Sequence, residues 1–173
     1  MSGPLVRPMT ADDCEHVSDI RVRGWRTAYR GLMPQSYLDG LDVAEDAERR
    51  RALFARTPVG MVNLVAEDDD GKVVGWACHG PYRDGGSLNE DAELYALYVD
   101  AARFGIGRAL LQESVRGCAE AGQGRMLLWV VEGNARARRF YEWAGFRADG
   151  AEEPFEVAGA VVPEVRYARD LTG

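Results

Sequence analysis

Lysine is almost missing from this 173-residue chain: of its 21 basic side chains, all but Lys72 are arginine. With the alanine and glycine content, that bias marks a GC-rich bacterial genome and says nothing of activity. Histidine occurs only at His16 and His79, and cysteine only at Cys14, Cys78 and Cys118. Three cysteines without metal-ligand spacing exclude a disulfide framework and point to the reducing cytoplasm. No apolar run approaches the ~18 residues of a membrane span, and the start, MSGPLVRPMTADDCEHV, has no signal-peptide core. Positive charge is also scarce. A formal net charge of −7 and a sequence pI near 4.9 argue against nucleic acid as the partner and fit a cationic or neutral small molecule better.

What is present is ordinary for a globular chain, with 46% hydrophobic and 28% charged residues, enough for a core of its own. Without repeat or linker, residues 1–173 read as one domain. Thr10-Ala-Asp-Asp13 opens a helix whose inward stripe runs through Cys14, Val17 and Ile20 toward Trp25, Ala28 and Tyr29. A second helical stretch follows Pro34, from Ser36 to Ala55. Met61–Ala66 and Lys72–His79 are β-rich runs joined by Asp-Asp-Asp-Gly, a hairpin signal, and Glu93–Val99 is a third strand.

Beyond it, Leu110, Leu111, Ser114, Val115 and Cys118 recur at helical spacing up to Gly122. Arg125–Val131 is a continuous apolar run, as in a buried parallel strand. Asn134 caps a further helix that Gly145 ends, and two strands fill Phe155–Leu171 around Gly159-Ala160. The pattern predicts an α/β (α+β) fold: a mixed, mostly antiparallel sheet with helices on both faces.

The stretch DAARFGIGRALL places Gly105 and Gly107 at the start of a helix. Free backbone N–H groups and the positive end of the macrodipole meet there, and bare glycines let a phosphate approach them. A dinucleotide fingerprint would need a third small residue where Leu110 stands, and a Walker A loop needs Gly-Lys-Ser/Thr; neither is present. Three side chains elsewhere carry chemistry. Tyr141 can donate a proton, its phenol pKa being ~10, or can serve as a core aromatic beside Phe140. A partly buried carboxylate at Glu93 can act as a base near neutrality, since burial raises its pKa, or can be an exposed strand-end acid. His79 can act as a base or contact a substrate, or can face solvent at its strand end.

LYVDAARFGIGRALL followed by LWVVEGNARARRFYEWAGF resembles the acetyl-CoA-dependent N-acetyltransferases of the GNAT superfamily, and RVRGWRTAYRGLMP resembles the acceptor-side helices of bacterial members. The resemblance covers nearly the whole chain. It implies acetyl-CoA as co-substrate, no metal, and attack by a primary amine in a ternary complex. It also implies that Tyr141 is general acid, with Glu93 as base through water. Leu97, Tyr98, Val99, Arg103, Phe104, Gly105, Ile106, Gly107, Arg108, Ala109, Asn134, Ala137 and Tyr141 would face coenzyme A, and Trp25, Tyr29 and His79 the acceptor.

The family pattern, Gln/Arg-x-x-Gly-x-Gly after a proline, is altered here. Ala102 and Ala101 stand at the basic and proline positions, the connection is about two residues short, and Arg103 offers charge from a shifted place. That departure keeps a second reading open, a non-catalytic acyl-CoA-binding or sensing domain, and a third, a module for another phosphate ligand. The resemblance is compatible with a homodimer, and leaves the acceptor amine open between metabolite, antibiotic, polyamine and peptide N-terminus.

Overall fold

In the computed structural model, which describes residues 3–83, 90–100 and 105–171, the chain starts with a short strand, β1 (Leu5–Pro8), and a 3-10 turn over Ala11–Asp13. Asp13 makes that turn. Its carboxylate accepts the Thr10 backbone N–H at 2.7 Å and holds the Arg7 guanidinium at 2.8 and 3.0 Å. Helix α1 (Cys14–Ala28) follows, and the segment expected as one helix over 36–55 is two: α2 (Gln35–Asp39) and α3 (Val43–Ala55). Gly40 ends the first, and Asp42 starts the second by accepting the Glu45 N–H at 2.9 Å. An N-capping aspartate takes extended backbone, which no continuous helix can hold.

Strands β2 (Val62–Glu67), β3 (Val73–Pro81) and β4 (Asp91–Val99) form the expected antiparallel meander. Helix α4 (Ile106–Glu120), strand β5 (Arg125–Val131), helix α5 (Ala135–Trp143) and the strands β6 (Arg147–Val157) and β7 (Ala160–Asp170) complete one seven-stranded sheet. Its order is β1-β2-β3-β4-β5-β7-β6, and only β4 and β5 run parallel. The mixed α/β class expected from the pattern is the one observed. Strand β1 was not expected, and β6 begins at Arg147, eight residues before Phe155; β1 has only four residues and none is buried, and the first four of β6 are all exposed, so neither start carries an apolar alternation.

Apolar clusters pack on both faces of the sheet. Cys14, Val17 and Ile20 of α1 pack with Val65, Trp76 and Cys78, while Trp25, Met33 and Leu38 pack with Val131, Val157 and Val162. On the other face, Leu111 and Cys118 of α4 pack with Met126, Leu128 and Tyr167, and Phe140 and Tyr141 of α5 join them. All three cysteines are free and buried in these cores.

The sheet splits at its centre. Strands β4 and β5 pair only over Asp91–Glu93 against Arg125–Leu127. From Leu94 onward β4 keeps β3 alone, while β5 stays with β7 up to Val131 opposite Glu164. A bulge marks the parting: Cys78 and His79 of β3 face Ala96 and Leu94, leaving Tyr95 as the extra residue on β4. Bulges bend a strand and increase its local twist, which here turns β4 away from its parallel neighbour.

Candidate active site

The opening between β4 and β5 gathers side chains from both faces. Leu97, Tyr98 and Val99 lie on the freed part of β4, paired with Ala77, Trp76 and Gly75 of β3. Among the described residues no strand takes their other edge, so an extended ligand could pair there. Leu97 and Val99 turn toward α4, and Tyr98 toward α1.

Helix α4 aims its N-terminus at the same opening. Gly105 is its N-cap, in the left-handed region at φ +82°, with no side chain capping the helix. That φ strains any residue with a Cβ. Ala109 donates its N–H to the Gly105 carbonyl at 3.1 Å, which commits it to the helix, while the N–H groups of Ile106, Gly107 and Arg108 have no acceptor among the described residues. Gly107 keeps the gap clear: a Cβ there would sit 3.4 Å from Val99 Cγ2 and 3.5 Å from Phe140 Cζ. Ile106 buries its side chain in the core, and the Arg108 guanidinium lies 5.7 Å over the Trp143 ring. Arg103 and Phe104 fall outside the described residues. A bare, uncapped helix start facing a freed strand edge fits a pyrophosphate followed by an extended amide chain.

Helix α5 brings Tyr141. Asn134 caps that helix, its Oδ1 accepting the Ala137 N–H at 3.2 Å. Both residues are thereby used in building the helix. Tyr141 packs edge-on against Phe140 and Phe146 at 5.3 and 5.8 Å. Burial pushes its phenol pKa above the usual range, with Tyr98 adding to the rise. Tyr29, which caps the end of α1, is raised by burial and then by Tyr98 and Tyr141. Phenols from α1, β4 and α5 therefore converge within electrostatic reach of one another. Trp25 fixes this group by donating its indole N–H to Tyr98 Oη at 2.6 Å, with the Tyr29 ring edge-on at 4.8 Å. Trp76 stacks on Tyr98 at 5.9 Å.

Glu93 sits at the crotch, the last β4 residue paired with β5, and is 5% exposed. It accepts the Arg83 backbone N–H at 3.2 Å, and the Arg83 guanidinium lies 3.9 Å away. The side chain faces a cavity of about 460 Å³ walled by Tyr95, Trp129 and Phe155, which Glu153 and Glu164 also line. These wall residues were not legible beforehand. The sequence places the hairpin turn at Gly159-Ala160, one residue late; the observed turn is Ala158-Gly159, at φ +48° and +78°, and this shift is what pairs Glu153 with Glu164. His79 is placed apart. It is buried under α4, with Nδ1 2.9 Å from Ser114 Oγ and a Cβ at Gly117 falling 3.6 Å from Nε2. It is neither solvent-facing nor on the face that carries Trp25 and Tyr29.

Comparison with known proteins accords with this geometry. Residues 24–146 match the acetyltransferase (GNAT) family. The chain is 33% identical to the "Uncharacterized N-acetyltransferase YuaI" of Bacillus subtilis over 162 residues, covering 92% of this chain and 89% of the relative. It is 27% identical to the "Probable N-acetyltransferase Rv2775" of Mycobacterium tuberculosis, covering 96% and 93%. Among solved structures, the PaiA N-acetyltransferase of Thermoplasma acidophilum with coenzyme A superposes with a TM-score of 0.75 at 18% identity, covering 98% of this chain and 99% of that one. A phosphinothricin acetyltransferase of Sinorhizobium meliloti with acetyl-CoA gives 0.72 at 21% identity, covering 98% and 89%. With the family matched over most of its length, the chain belongs to the GNAT acetyltransferases.

Proposed function

We propose that the protein transfers an acetyl group from acetyl-CoA to a primary amine by direct attack in a ternary complex. The observation that carries this reading is the parting of β4 from β5 after Glu93, with Tyr141 and the bare start of α4 on one side of the sheet and an acid-lined cavity on the other. Acetyl-CoA supplies the activated thioester. The open N–H groups at the start of α4 hold its pyrophosphate, and the free edge of β4 at Leu97 and Val99 holds the extended arm and polarises the carbonyl.

Tyr141 keeps its proton at Oη throughout the neutral range because burial raises its pKa. It is therefore a donor to the departing sulfur, and Tyr98, oriented by Trp25, influences the same phenol electrostatically. Glu93, held by Arg83, takes a proton from the incoming ammonium, directly or through water. Donor and acceptor thus approach from opposite faces of one sheet, which brings nucleophile and carbonyl together without a covalent enzyme intermediate.

Removal of the Tyr141 hydroxyl tests the assignment. Tyr141→Phe is expected to lower kcat by about 10²–10⁴-fold, followed as thiol release across a panel of primary amines, with acetyl-CoA affinity within about twofold of wild type. Unchanged kcat would remove Tyr141 from the proton path.

A further inference from the structure

The hairpin of β6 and β7 sets Glu153 directly opposite Glu164, on the face where both line the cavity that Glu93 enters. Like charges placed opposite one another on an antiparallel ladder destabilise it. The two-residue turn at Ala158-Gly159 fixes this register, so the repulsion is built in.

Arg83 relieves only part of the repulsion. Its guanidinium is bonded to Glu153 and lies 3.9 Å from Glu93. Arg166, nearby over the Trp129 ring, is committed to Asp149 at 2.6 Å. The Glu164 side chain is half-buried and makes no hydrogen bond or ion pair among the described residues. Burial raises its carboxyl pKa, Glu153 and Glu93 add to the rise, and Arg83 opposes it. The cavity thus has three carboxylates on one face (Glu93, Glu153 and Glu164) beside one guanidinium, with Trp129 and Phe155 among its walls. A half-buried carboxylate with no bonded cation, paired with another on the wall of a cavity of about 460 Å³ that Glu93 also lines, has the charge and the room for a cationic ligand.

We propose that this cavity selects an acceptor with a second cationic nitrogen, a di- or polyamine, whose distal ammonium sits at Glu164 and Glu153 while the reacting nitrogen lies at Glu93. The inference rests on the acetyl-transfer reading of the same opening. The aliphatic chain runs along Trp129 and Phe155. An amine with a carboxylate at its far end is repelled by Glu164, and a simple monoamine gains nothing from it.

The test compares diamines of three to six carbons with the monoamine and the ω-amino acid of equal length. Initial rates with acetyl-CoA and direct titration of each amine into coenzyme A-saturated protein are measured for wild type and Glu164→Gln. For the best-fitting length, the diamine is expected to exceed its monoamine about tenfold or more in kcat/KM and in affinity, as a charge-assisted hydrogen bond provides. The ω-amino acid is expected to be poorest. Glu164→Gln brings the diamine-to-monoamine ratio to within about threefold of one, and rising salt narrows it in wild type. A thermal midpoint of the variant at or above wild type, as relief of repulsion requires, shows that it is folded.

Diamine and monoamine within about twofold of each other at every length would overturn the proposal, whether or not acetyl transfer occurs. Selective diamine binding lost in Glu164→Gln, without thiol release, would uphold the cavity's specificity and overturn the transfer reading alone.

Discussion

His79 Nδ1 lies 2.9 Å from Ser114 Oγ beneath α4, in a site that excludes water. Burial lowers its pKa, so the unfolded chain accepts a proton that the folded chain resists. The corresponding stability is complete above the unfolded value of ~6.5 and is lost as pH falls through the lower folded value. Thermal midpoints are therefore expected to drop from pH 7.5 toward pH 5, and less steeply in His79→Gln. Parallel curves for the two proteins would show that the buried imidazole does not control this range. Residues differ in how openly the sequence displays them. Tyr141 and Glu93 are singled out by the family resemblance alone, since local spacing leaves one as a core aromatic and the other as a strand-end acid. Glu164, Arg83 and Trp129 come from separate strands, and only tertiary pairing brings them to one cavity. His79 was misleading because the residues that bury it, Ser114 and Gly117, lie 35 or more positions along the chain.

Short elements carry much of the site. Helix α5 has nine residues and no fully buried one, so its own propensity holds it weakly. The Asn134 side chain satisfies one of its first N–H groups. Asn134→Ala should cost about 1 kcal/mol by denaturant titration, with Asn134→Asp recovering most of it. No loss would mean that packing of Phe140 and Tyr141 alone sets the helix. Caps of this kind are legible: Asn134 and Gly145 fall where the residue types place them, while the last hairpin turn, expected at Gly159-Ala160, lies one residue earlier. The break between α2 and α3 was legible too, in Gly40 and Asp42, but the helical periodicity on either side masks it. The bulge at Tyr95 has no local mark, because its cause is the register of β3 against β4.

At the scale of the molecule, the proposed function depends on a sheet that does not close. Strands β4 and β5 each read as ordinary apolar strands, and nothing in either run tells that they pair over three residues and then part. Parallel register is set by the packing of α4 and α5 on one face and α1–α3 on the other, which single segments do not encode. The opening joins two unlike surroundings, an uncapped helix start on one face and an acid-lined cavity on the other.

The most direct measurement is isothermal titration of acetyl-CoA into wild type, Gly107→Ala and Gly107→Trp. A methyl at residue 107 makes ordinary contacts with Val99 and Phe140, whereas an indole fills the gap before the open N–H groups. Binding on the order of micromolar by wild type and Gly107→Ala, lost in a folded Gly107→Trp, is the predicted result. No binding by wild type, or equal binding by all three, would contradict the placement of the donor at the start of α4.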